Sequence, residues 1–77
     1  MPNYYSTSDL NLASAIIVSW YQLNHIQKDK GKGLFFFEPS HKLAKLTEDY
    51  FLWRIRLDPM EYSGAIKTLK NYLYNTP

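Results

Sequence analysis

The sequence predicts an α+β fold: a three-stranded, mainly antiparallel sheet with three packed helices, in the order α-β-β-α-β-α. Three observations carry this reading. Leu34-Phe35-Phe36-Phe37 is an unbroken run of large apolar residues between Gly33 and Pro39, too short for a helix. Successive strand side chains point to opposite faces, so both faces of this run are apolar, as a central strand covered on both sides requires. Apolar residues recur at helical spacing in three other stretches. Finally, Asp29-Lys30-Gly31-Lys32-Gly33 holds the glycines that a hairpin turn uses for positive φ.

In chain order, residues 1–5 form a lead-in. Ser6 and Asp9 are spaced as a capping box before a helix from about Thr7 to Ser19 or Trp20. Its stripe is Leu10, Ala13, Ile16, Ile17 and Trp20. From Leu10 to Gln27 there is no Asp, Glu, Lys or Arg, so this helix is either enclosed by the fold or turned toward a partner. Residues 21–28 read as a strand of imperfect alternation, paired through the hairpin with residues 33–38. Ser40 is the expected N-cap of a second helix, whose stripe is Leu43, Leu46, Tyr50 and Trp53. Arg54-Ile55-Arg56-Leu57 alternates and is the expected third strand. Asp58 then caps a last helix with Pro59 at its first position and Glu61 in its first turn, running to about Tyr74. Tyr62, Ala65, Ile66, Leu69 and Leu73 form its buried stripe. With no linker and no repeat, residues 1–77 are expected to be a single small domain.

Several stretches together resemble a family of very small bacterial proteins known only as a domain of unknown function. They are Tyr5-Ser6-Thr7-Ser8-Asp9-Leu10-Asn11-Leu12-Ala13, the Phe-rich strand to Glu38, Tyr50-Phe51, Leu57-Asp58-Pro59 with Tyr62, and Ala65 followed by Leu69-Lys70 and Leu73-Tyr74. The resemblance covers nearly the whole chain and implies a domain boundary and an element order, but no activity. One departure stands out. Where that family tends to carry a glycine after its aromatic pair, this chain has Trp53.

Composition narrows the function classes. A chain of 77 residues buries only about 60% of its unfolded surface, so its core must be dense or shared with a partner. Its 17% aromatic content suits a dense core. Without cysteine there is no disulfide, no thiol chemistry and no Cys-type zinc site. The net charge of +2 does not by itself call for nucleic acid. No run approaches the ~20 apolar residues of a membrane span, and Met1-Pro2-Asn3-Tyr4 opens no secretory signal, so a cytoplasmic protein without membrane attachment is expected. No serine sits in a nucleophile elbow, and His25 and His41 lack the partners of a catalytic or metal site. Gly31-Lys32-Gly33 lacks the spacing and the following helix of a phosphate loop. The expectation is a non-enzymatic protein with no cofactor, no metal and no small-molecule substrate.

Two candidate binding surfaces remain. The favoured one is a protein interface, self-association as a homodimer included, built from the uncharged first helix through Leu12 and Val18 with Tyr4 and Tyr5 before it. The alternative is single-stranded nucleic acid held by Lys28, Lys30 and Lys32 at the hairpin tip and by Arg54 and Arg56 on the third strand, with Trp53 and Tyr21 as stacking rings nearby. The second face of Phe35-Phe36-Phe37 needs a cover as well. The first helix is expected to supply most of it, a second copy being the alternative.

Overall fold

The Phe-rich segment is the middle strand of the sheet. The computed structural model describes residues 3–29 and 32–75, with elements β1 (Tyr5–Thr7), α1 (Leu10–Val18), β2 (Leu23–Asp29), β3 (Lys32–Phe37), α2 (His41–Phe51) and α3 (Pro59–Asn75). The sheet order is β1-β3-β2, and both pairings are antiparallel. The expected class, the central Phe strand and the three packed helices are therefore all present. The helix–hairpin–helix sequence and the last helix also stand where the sequence puts them.

The third strand lies elsewhere. It is Tyr5–Thr7, which pairs with Phe37 to Phe35 along the free edge of β3. Residues 54–57 form no strand. The backbone there has just left α2 through a tight reversal, and the Arg54 side chain turns back to Glu48 and Asp49 on α2, 3.5 Å away in each case. With Ser6 and Thr7 in the sheet, α1 begins later than expected. Its cap is Asp9 alone: the carboxylate accepts from the N–H groups of Asn11 at 2.9 Å and Leu12 at 3.3 Å. The Thr7 hydroxyl in turn accepts from the Asp9 N–H at 3.1 Å. Ser40 and Asp58 cap α2 and α3 as their spacing implies.

The imperfect alternation of β2 is a bulge. Leu23 pairs with Phe37 and His25 with Phe36, leaving Asn24 as the additional residue. Leu23 and Ile26 thereby share the face of Phe37 and Phe35, while His25 and Gln27 share the face of Phe36 and Leu34.

All three helices pack on one face of the sheet. The core joins Phe35 and Phe37 to Leu12, Ala13 and Ile16 of α1, Leu43 of α2 and Leu69 of α3. Gly33, on that same face, lies under Leu73 of α3. Residues Leu12 to Ile16 of α1 are buried without interruption, because α1 is enclosed by the sheet and its two sister helices. That accounts for its lack of charge, since an ion there would be desolvated without a partner. It also corrects two expectations. Leu12, 1% exposed, is a core residue and offers nothing to a partner. Nor does α1 cover the second sheet face, where Leu34 and Phe36 remain half-buried. The molecule is two layers thick, 36 × 35 × 18 Å.

Candidate interaction surface

The described cations that the sequence singles out fall on two elements, the hairpin end and the α2–α3 connection. Lys28 lies on the helix-facing side of β2, and its ammonium donates to the Leu73 carbonyl at 2.6 Å, in the C-terminal turn of α3 where the helix dipole favours a cation. Lys32 is exposed at the start of β3, and Lys30 lies outside the described residues. Arg54 is ion-paired with two carboxylates of α2, and Arg56 is exposed on the α2–α3 connection. Lys28 and Lys32 lie on adjacent register pairs at the hairpin end, while Arg54, Arg56 and Trp53 follow one another on the α2–α3 connection. Of the expected interface residues, Tyr4 is 38% exposed on the open sheet face. Tyr5 and Val18 are half-buried, and Leu12 is inside.

Tyr4 belongs to an aromatic cluster on that open face. The His25 ring stacks on Phe36, with centroids 4.3 Å apart and planes 5° apart. Tyr4 meets both rings edge-on, at 5.4 and 6.2 Å. The Asn24 side-chain Oδ1 lies 2.6 Å from Nδ1 of His25 and orients the imidazole. The cluster partly shields Phe36, which the helices leave uncovered.

The most unusual local structure is at the C-termini of α1 and α2. Each helix ends in a Schellman reversal. At α1, the Trp20 N–H donates to Ile17 (3.0 Å) and the Tyr21 N–H to Ile16 (3.3 Å). At α2, the Trp53 N–H donates to Tyr50 (3.2 Å) and the Arg54 N–H to Asp49 (2.8 Å). The reversal needs a left-handed residue just past the cap, a place that glycine fills without strain. Here tryptophan fills both, with φ 66° at Trp20 and 60° at Trp53. At Trp53 the turn is made without the glycine, by a residue that strains to make it. Left-handed backbone costs an L-residue about 1–2 kcal/mol.

Neither ring is part of the core. Trp20 is 89% and Trp53 93% exposed, so the helical stripes to which spacing assigns them stop short of both. Each follows a helix rather than belonging to it, and the left-handed turn swings its side chain away from the buried stripe. Trp53 stands at the wall of an apolar groove of about 510 Å³, with Tyr50, Phe51, Ile55, Leu57 and Tyr62. Ile55 also lines the next groove, along with Ser19, the residue before Trp20. Trp20 itself lies with Ile17, Val18 and Glu61, the residue preceding Tyr62. Phe51, Leu52 and Met60 are exposed around the same connection, at 61, 53 and 84%.

Burial raises the Tyr50 phenol above its ordinary value, helped by the Asp9 carboxylate and by Tyr62. Tyr62 is fixed in turn by donating to the Asn11 carbonyl at 3.1 Å. The back wall of the groove is therefore neutral and anchored to α1. Sequence reasoning missed Trp20, Phe51, Leu52 and Met60 as surface residues. The signal was present: a helix ending with no glycine or asparagine to take the left-handed position.

Among the described residues, no group of three or more His, Asp or Glu side chains is placed to hold a metal ion. No helix there is long and apolar enough to cross a membrane. The family model described as "Domain of unknown function (DUF5659)" matches residues 2–75, and the chain belongs to that family. No curated protein and no solved structure matches it.

Proposed function

We propose that this member of the family is a small non-enzymatic interaction protein that engages protein partners through the surface around Trp53 and Trp20. One observation carries the reading: two tryptophans occupy glycine-type backbone positions with their rings in solvent. Within its own fold such a residue strains the chain and packs little. In a contact it becomes a large, rigid anchor, the residue type most enriched among binding hot spots. Backbone strain that the fold does not need points to function. The surroundings agree, since Phe51, Leu52 and Met60 extend the apolar surface and Arg56 and Glu61 give it a polar rim.

A photoreactive aromatic amino acid at position 53, which keeps a large ring there, tests this in the producing cell. A discrete crosslinked species is expected from position 53, and none from exposed Asn71 on α3. Absence of any discrete adduct at position 53 would refute the proposal.

A further inference from the structure

We infer that the occupant of the Trp53 groove is a second copy of this chain, in a two-fold contact where each Trp53 ring enters the other's groove. The inference rests on the interaction reading above and names its partner. A two-fold interface uses the same patch twice, so the patch must be complementary to itself. This one holds both halves of such a contact: a ring 93% exposed, and beside it an apolar groove of about 510 Å³ walled by Tyr50, Phe51, Ile55, Leu57 and Tyr62.

Area supports the same occupant. At ~200 Å² for a fully exposed large apolar side chain, the exposed fractions of Phe51, Leu52, Trp53 and Met60 around the α2–α3 connection amount to roughly 580 Å². That is the upper end of the largest apolar patch on a typical monomer, about 300–600 Å², and covers the apolar share, about 60%, of the roughly 800 Å² that a standard stable interface takes from each partner. Arg54 is paired with Glu48 and Asp49 of its own chain, and the rim still carries both signs through exposed Arg56 and Glu61, so a two-fold can set unlike charges opposite each other. A rim of one sign would repel its own copy.

Sedimentation of the purified chain through the micromolar range tests this, with W53G, M60E and Y4S variants alongside. W53G removes the ring and relaxes its backbone, and M60E puts a charge on a side chain that is already 84% exposed, so both should fold. The wild type is expected to dimerise, with self-association at least about 30-fold weaker in W53G and M60E and unchanged in Y4S. A dimer that survives W53G and M60E overturns the inference, as does one broken by Y4S on the open sheet face. A monomeric wild type that still gives position-53 adducts of other masses in the cell overturns the second copy and leaves the interaction reading standing. A monomer without adducts overturns both.

Discussion

At the scale of single residues, Trp53 and Gly33 show opposite uses of backbone freedom. Trp53 occupies a glycine position without being glycine. Gly33 occupies a strand position where a side chain would press on the end of Leu73. A Cβ on Gly33 would lie 2.5 Å from Cδ2 of Leu73 and 3.2 Å from its Cδ1, so α3 sits directly on the bare backbone of β3. Gly33→Ala should therefore destabilise by about 1–2 kcal/mol as Leu73 is displaced. In the Leu73→Ala background the same change should cost much less. Additive effects in a double-mutant cycle, read by urea unfolding, would contradict the contact. The left-handed state of Trp53 was only half legible in the sequence. The missing glycine showed where a turn would be strained, but not whether the chain would strain or avoid it. The Schellman hydrogen bonds show that it strains.

Among elements, those fixed by local chemistry were the legible ones. Ser40 and Asp58 announce α2 and α3 because a cap is a short-range hydrogen bond. The Phe strand follows from its two-sided apolarity, and of the two glycines expected to turn the hairpin Gly33 is a strand residue of β3 while Gly31 lies outside the described residues. The misplaced strand was decided by long-range competition. Arg54–Leu57 alternates as a strand should, but Tyr5–Thr7 takes the open edge of β3 and the Arg54 side chain stays with α2. Alternation reports which segments suit a sheet, not which one reaches the edge. Moving Ser6 and Thr7 into β1 leaves Asp9 as the sole cap of α1. Asp9→Ala should accordingly lower stability by about 1 kcal/mol and Ser6→Ala by almost nothing. Equal losses in thermal unfolding would restore the longer helix.

At the scale of the whole molecule, one sheet face bears all three helices, while among the described residues the other carries Tyr4, Ser6, His25, Gln27 and the half-buried Leu34 and Phe36. The apolarity of the Phe run promised two covers. A chain this short folds with one, since enclosing α1 uses the apolar stripes of both other helices. The tyrosines around α1 make the fold sensitive to alkali. Burial, and then the Asp9 carboxylate, raise the Tyr5 phenol above 10.0, and Tyr50 shifts the same way for the same leading reasons. The folded chain thus holds these protons more tightly than the unfolded one. Their contribution is intact below the unfolded phenol value of about 10 and is lost as pH rises through the higher folded values. Urea midpoints should fall as pH rises past about 10, and those of a Tyr5→Phe, Tyr50→Phe variant should fall less. Equal declines would place the alkaline sensitivity elsewhere.

The central claim is that the fold carries Trp53 at a cost to itself, for the sake of what the ring contacts. The most direct test is the unfolding free energy of W53G against W53A, measured at high dilution so that self-association adds nothing. Both variants lack the ring, and only glycine relaxes the left-handed turn. W53G should be the more stable by about 1 kcal/mol, a rise of roughly 4–8 °C in Tm for a domain of this size. If W53G is no more stable than W53A, the turn at Trp53 is not strained and the claim fails.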